Sequence, residues 1–482
     1  MAVGKGRKLI IVDSDINPFT IKDVLSKAWN VHKENQNDII KLTDYYLGKQ
    51  NQSNDYNIND LYGKKIENKT TLNYANSTVR TIVGYTFSQG SQITQRKGKY
   101  LKDIEKLADI LNYENSDVKD TEVATMGSIG GVGYLGIFPT KDISSDYMPD
   151  YPLVPIALDN RFTFTVHSPR PGNPIILSVT YYISKEKNKS IFNCYTDTET
   201  YTIECEGTSG YSIGNAKITQ YDVNPIGLNP IQIVKNNQYM QGDFEIAIEI
   251  SDALNLLAAD SISDVENVIK SLLVIMNAEL SPEEAKKARA NRIINLMGQP
   301  GVNVDAKFIY QQLDSLGIQN LREYFEEAYK TIVGIPDRKT RGGGGGDTGD
   351  AVKLRDGWAD IEIVARIKEN YFKIAKKKQL AVAIKILKML NYVSDNFKLE
   401  DIDIKIPRNK NDNIQSKAQS FSTLIQTECI APEDAMAMAD MTTDIQGVVS
   451  RGKAYQESIQ SNASTMKDTV NTVSTNNASI GQ

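Results

Sequence analysis

Only three cysteines (Cys194, Cys205, Cys429) and two histidines (His32, His167) occur in 482 residues. So few thiols exclude a disulfide-stapled scaffold, and the absence of any CxxC pair removes the usual zinc signature. Two histidines leave no His-rich metal centre, so the sequence assigns neither a metal nor a cofactor. No stretch approaches the roughly 18 apolar residues of a transmembrane helix. The N-terminal MAVGKGRKLIIVDSD has an apolar run of only four residues, Leu9 to Val12, too short for a secretory leader. The expectation is a soluble, reduced, cytosolic chain with no membrane contact. With 60 acidic against 55 basic residues, a net charge of -5, it lacks the basic excess of a free-standing DNA-binding domain.

Catalytic signatures are missing too. No GxxxxGK[ST] occurs; Gly48-Lys49-Gln50 and Gly63-Lys64-Lys65 fail at the hydroxyl position, which argues against a Walker-type ATPase. Gly131-Val132-Gly133-Tyr134-Leu135-Gly136 fits GxGxxG, but the following IFPTKDISSDYMPDYP cannot open a helix as a dinucleotide site requires. A glycine-rich strand that lets backbones approach is the better reading. His32 lies in the charged run VHKENQND and reads as solvated, while His167 ends a strand-like run ahead of Pro169. Neither adjoins a nucleophile elbow. No catalytic residue is assigned, and the chain reads as a non-enzyme.

What remains is a long chain with a lean interior: 40% apolar and 24% charged residues. Its length suits about three compact units, and the lean core points to extended shape or to burial shared with partners. Helical periodicity covers Ile21 to Leu47, Thr71 to Val83 and Lys99 to Leu111. From Val123 to Val234, runs rich in Val, Ile, Thr, Tyr and Phe are broken by Gly, Pro, Asn and Asp, which predicts an antiparallel sheet with a hairpin turn at residues 196–199. A long helix follows from Asp243 to Lys270. Ser281-Pro282-Glu283-Glu284 is a capping box that opens a short helix ending at Gly298, and VDAKFIYQQLD then alternates as a strand. Gly317 opens a helix in which Ile318, Leu321, Phe325, Ala328 and Ile332 step by three and four, a seam for lateral helix packing.

Gly334-Ile335-Pro336 ends that helix and leads to DRKTRGGGGGDTG. Gly342, Gly343, Gly344, Gly345 and Gly346 cannot hold a regular element. Arg338, Lys339 and Arg341 beside them form either a cationic contact for a polyanion or a solvated linker. The proline-free stretch Ala351 to Tyr392 predicts a helix of about 63 Å if unbroken. DIDIKIPRN (401–409) reads as a strand, residues 414–428, 432–440 and 443–458 as short helices, and the Ser/Thr/Asn-rich end as disordered. The fold class is mixed α+β.

This order of elements, together with local runs, resembles the portal (head–tail connector) proteins of tailed bacteriophages, in the branch found in phages of low-GC Gram-positive hosts. The runs are Asp44-Tyr45-Tyr46-Leu47-Gly48, NYANSTVRTIVGYTFSQG (73–90), VTYYI with NCYTDTETYTIE, GLNPIQIVKNNQYMQGDFE (227–245), DTGDAVKLR (347–355) and DIDIKIPRN. They keep the family's order over residues 40 to 458. The glycine run and the polar tail depart from its pattern.

The resemblance implies a subunit with an α/β wing (1–248, with strand 401–409 returning to it), stem helices (249–270 and 317–334), a small α/β clip (271–316), a tunnel loop (335–350), a long helix to the wing (351–394), a helical crown (413–458) and a tail (459–482). It implies a ring of about twelve copies around a channel, located in the virion at one capsid vertex and assembled in the bacterial host cytoplasm. Double-stranded DNA would pass non-specifically. The implied partners are the terminase large subunit, a head–tail adaptor, and major capsid and scaffolding proteins. Two alternatives stay open at this point: another virion structural protein of the capsid or baseplate, or an enzyme acting on nucleic acid.

Overall fold

The computed structural model describes residues 6–49, 70–96, 99–140, 151–208, 210–269, 272–276, 283, 305–309, 315–336, 358–408, 414–427, 430–439, 441–442, 445 and 447–459. The helices are α1 (Ile21–Tyr46), α2 (Tyr74–Thr86), α3 (Leu101–Tyr113), α4 (Ser116–Gly130), α5 (Ile248–Ile269), α6 (Ser315–Val333), α7 (Trp358–Met389), α8 (Ile414–Ile425) and α9 (Pro432–Met438), with a further helical run over 447–459. The strands are β1 (Ile10–Ile11), β2 (Gln92–Gln95), β3 (Val132–Pro139), β4 (Leu153–Leu158), β5 (Thr163–His167), β6 (Ile175–Ser184), β7 (Lys189–Tyr195), β8 (Glu199–Glu206), β9 (Ala216–Val223), β10 (Ile231–Lys235), β11 (Leu272–Met276), β12 (Asp305–Ile309) and β13 (Ile402–Lys405). The fold is mixed α+β. The chain divides into two units, one of residues 44–76 and 246–333, the other of the remainder.

In the larger unit, a six-stranded sheet runs in the order β1-β5-β6-β7-β8-β9. β5 to β9 form an antiparallel meander, as the Val/Ile/Tyr-rich alternation predicts, and β1 adds a parallel edge beside β5. The apolar stripe of α1 (Ile21, Val24, Leu25, Ala28, Trp29) covers one face of this sheet, against Phe164, Val179, Phe192 and Ile203.

His32 corrects the sequence reading. It is 2% exposed, stacked on Phe164 at 4.4 Å between ring centroids, with Nε2 3.2 Å from the Tyr181 hydroxyl. Charged neighbours on the outer side of α1 give the segment a solvated look, but the ring itself falls on the buried stripe.

A second core joins α3, α7, β3, β4 and β13 through Leu107, Ile137, Leu153, Leu380, Leu387 and Ile404. β3 lies between β10 and β4 in a three-stranded sheet, and β13 pairs with β2. α7 spans 32 residues, about 48 Å, and ends where Asn391 takes a left-handed turn at φ 59°. It buries two lysines. Lys376 Nζ lies 2.7 Å from Asp120 Oδ1, both side chains 1% exposed, and donates to Ser116 Oγ at 3.0 Å. Ser91 also donates to Asp120.

α4 is an element that hydropathy does not reveal. SDVKDTEVATMGSIG has almost no apolar periodicity, because small residues (Ala124, Gly127, Ser128, Gly130) form much of its buried side. Its glycines run into the GxGxxG stretch in the order helix then strand, the reverse of a dinucleotide site. At Gly133 a Cβ would lie 2.6 Å from the Val123 carbonyl oxygen, so the close approach of strand to helix is what requires glycine.

In the smaller unit α5 and α6 pack together, and β11 pairs antiparallel with β12. The helix expected over residues 282–297 lies outside the described residues apart from Glu283.

Burial lowers the His32 pKa to about 3, against an opposing hydrogen bond to the Arg161 backbone. A lowered histidine stabilises the fold above its unfolded value near 6.5 and loses that contribution as pH falls toward the folded value. At pH 5 the loss from His32 alone is about 2 kcal/mol. His32→Phe should flatten the decline in unfolding free energy between pH 7 and 5 by about that amount in urea titrations; an unchanged decline would contradict the assignment.

Candidate functional site

The segment between β10 and α5 reads NNQYMQGDFE (236–245), and in the larger unit it is tied down from three sides. Its own asparagines shape it first. Asn237 Oδ1 accepts from Tyr239 N (3.1 Å) and Gln241 N (3.0 Å), and Asn237 Nδ2 donates to Gln241 O at 2.9 Å. Asn236 Nδ2 donates to Gln241 O at 2.8 Å and to Asp243 Oδ1 at 2.7 Å. Asparagine suits this work because one side chain both donates and accepts within a turn.

The end of α4 supplies the second side. Asn236 N donates to Gly131 O at 3.0 Å and Asp243 N to Ser128 O at 2.8 Å, while Ser128 Oγ donates to Asp243. Gly131 has φ 84°, and a Cβ there would lie 1.9 Å from Met240 O. Only glycine fits. The third side is α7. Lys368 Nζ sits 2.7 Å from Asp243 Oδ2, with both side chains buried, and donates to Asn236 Oδ1. Burial pushes the Lys368 ammonium down, and the Asp243 carboxylate opposes that shift. A parallel clasp holds the N-terminal segment: Arg7 Nη2 contacts Glu245 Oε1 at 2.6 Å, both buried, and Glu245 Oε2 accepts from Gly242 N at 2.9 Å.

In the smaller unit α5 and α6 are held by tyrosines. Tyr45 OH donates to Asp252 on α5 at 2.9 Å, and Leu72 N donates to Asn255 Oδ1 at 2.6 Å. Tyr74 OH donates to Glu326 on α6 at 3.1 Å, and Arg322 Nε pairs with the same carboxylate at 2.8 Å. Burial, with the Glu326 charge second, pushes the Tyr74 hydroxyl up to about 12; burial raises Asp252. Tyr45 and Tyr74 both belong to runs singled out in the sequence.

The buried residues of α6 are Glu326, Tyr329 and Val333. The five seam residues lie elsewhere around the helix: Ile318, Phe325 and Ala328 are half-buried, and Leu321 and Ile332 are 45% and 46% exposed. Among the described residues the seam on α6 is thus only partly covered in the single chain, with Leu321 and Ile332 exposed. Arg338, Lys339, Arg341 and Gly342 to Gly346 lie outside the described residues.

Among the described residues no group of three His, Cys, Asp or Glu could hold a metal ion, and no helix is long and apolar enough to cross a membrane. His167 is buried, bonded at 3.0 Å to Thr165 Oγ1 and at 2.8 Å to Asn173 O, a structural role. Among the described residues, the arrangement fixes α5 and α6 by polar anchors and leaves Leu321 and Ile332 exposed on α6.

The model of a family described as phage portal protein, SPP1 Gp6-like, matches residues 25–462. No curated protein matches the chain. Similar solved structures include a chain of the neck of an empty gene transfer agent particle computed with C6 symmetry, 12% identical, covering 76% of this chain and 90% of that one at a TM-score of 0.44. A chain of the virion of the native gene transfer agent particle is 11% identical, covering 84% and 94% at 0.45. A third, from the neck of the native particle computed with C12 symmetry, is 11% identical, covering 76% and 89% at 0.40.

The buried pair makes a clear prediction. Asp243→Ala strands the Lys368 ammonium without a carboxylate and should cost about 3–5 kcal/mol, while Lys368→Met, which leaves Asp243 its Ser128 and Asn236 donors, should cost less. Thermal unfolding of both variants checks the order; equal losses would contradict it.

Proposed function

Because the chain belongs to the phage portal protein family described as SPP1 Gp6-like, we propose that copies of it assemble into the ring through which double-stranded DNA enters and leaves a capsid at one vertex. A portal protein is a structural component of the virion, not an enzyme. Here the ring holds about twelve copies, forms in the cytoplasm of a bacterial host, and belongs to the branch found in phages of low-GC Gram-positive bacteria. The subunit is divided as the resemblance implies, with a wing over 1–248 and 401–409, stem helices over 249–270 and 317–334, a clip over 271–316, a tunnel loop over 335–350, a long helix over 351–394, a crown over 413–458 and a tail over 459–482.

The observation that supports this reading, beside the family match, is the partly covered stripe on α6, where Leu321 and Ile332 are exposed. Apolar side chains at three- and four-residue spacing that stay partly exposed in the single chain are covered when a neighbouring stem packs beside them. Leu321→Glu with Ile332→Glu should leave the chain folded by circular dichroism but remove the species of about 640 kDa, twelve copies of a 53.6 kDa chain, from native mass spectra. A ring that persists in the double variant would sink the role of this stripe.

DNA must pass without being held. Each neutralised phosphate adds affinity through counterion release, and a net charge of -5 per chain gives the ring about -60, closer to a repelling sleeve than to a clamp. Sparse contact comes from Arg338, Lys339 and Arg341 on the tunnel loop, with Gly342 to Gly346 supplying compliance. Replacing all three cations by alanine should reduce the DNA retained in filled particles, measured as packaged length and leakage. If both stay normal, these residues have no part in handling DNA.

The clip is the docking surface for the terminase large subunit during filling and for a head–tail adaptor afterwards, and the wing and crown face capsid and scaffolding proteins. Deleting residues 271–316 should abolish co-sedimentation with motor and adaptor; retained binding would place the docking surface elsewhere.

A further inference from the structure

Phe19 is 92% exposed, more than any other large apolar side chain among the described residues. It does not sit on a frayed end. The turn Asn17-Pro18-Phe19-Thr20 that leads into α1 is closed by a dense set of bonds. Asn17 Oδ1 accepts from Phe19 N at 2.9 Å and from Thr20 N at 3.0 Å. Thr20 Oγ1 accepts from Asn17 N at 3.1 Å and donates to Asp15 O at 2.6 Å. Ile21 N donates to Asn17 O at 3.0 Å, and Asp23 N and Val24 N donate to Thr20 O at 3.0 Å each. Proline fixes one more dihedral. The phenyl ring is therefore held out on a rigid base, so fitting it into a pocket orders few further torsions.

Acidic residues flank it in the chain, with Lys22 half-buried among them. Asp13, Asp15 and Asp23 are exposed, and Asp15 and Asp23 are each tied through their backbone to Thr20, the neighbour of Phe19. None of the three carboxylates is paired with a cation among the described residues. An aromatic knob on a preorganised turn is the usual form of an interface anchor, and unpaired carboxylates around it select a basic rim.

We propose that the 17–20 turn is a docking knob, inserting Phe19 into an apolar pocket on a different protein whose rim carries lysines or arginines. The commitment to a different protein rests on the local charge: Asp13, Asp15 and Asp23 are exposed without a paired cation among the described residues and ask for a basic rim, and a contact with a second copy is the outcome that the test separates. The inference rests on the reading that the chain works inside a multiprotein particle. It adds a contact that the stem, clip and tunnel loop do not supply.

The test places p-benzoylphenylalanine at position 19 in the full chain, produced together with the other proteins of its particle, and irradiates the assembled material. Mass spectrometry should map one adduct to an apolar segment of another polypeptide flanked by basic residues. Changing Asp13, Asp15 and Asp23 to asparagine should lower adduct yield about fivefold at low salt. Phe19→Ala should leave Tm and native mass unchanged, because the ring touches solvent. Ring-sized material that gives no adduct, gives adducts only between copies of this chain, or gives a yield indifferent to the three aspartates overturns the docking knob and leaves the portal reading intact. A chain that forms the expected adduct but never a ring supports the knob and counts against the portal reading instead.

Discussion

An ammonium taken out of water must find a carboxylate, and in this chain Lys368 finds Asp243. The rest of the junction is arranged around that requirement. Asp243 can reach α7 because Ser128 and Asn236 orient its oxygens. Those two are in place because α4 ends at a glycine that lets residue 240 come close. The polar cluster is satisfied from several directions at once, the condition under which a buried network specifies one geometry. Its position in the chain gives it significance: three residues past Asp243, the chain leaves the larger unit for α5.

The same logic separates the two kinds of surface on α5 and α6. Tyr45 and Tyr74 reach carboxylates on α5 and α6 and fix these helices within their unit. Polar anchors of this kind leave the apolar stripe of α6 unspent. Under the proposed ring assembly both are needed: anchors that hold each helix in the single chain, and a face kept for the neighbour.

Much of this is legible in the residues alone. The meander from β5 to β9 follows from alternation and turn residues, most clearly in β7 and β8, which alternate in burial and are joined by the short turn at residues 196–198. α1, α5 and α6 show the 3.6-residue period, whereas α7 is legible from its lack of proline, its second half being buried on most sides. α4 is hidden because its buried side is built from glycine, alanine and serine, which carry no hydropathy signal. His32 misleads because charge is averaged over a window while burial is decided residue by residue around a helix. The NNQYMQGDFE run can be recognised as a motif, but its purpose cannot, since Ser128, Lys368 and Arg7 lie 115, 125 and 238 positions from their acidic partners and no local pattern links them.

α7 carries its two buried lysines eight residues apart, one closed on Asp243 and the other on Asp120. A slide of one helical turn, about 5.4 Å, would strand both ammoniums together in an apolar interior. The helix is thus keyed like a bolt with two teeth. Any displacement along its axis therefore has to break both ion pairs at once.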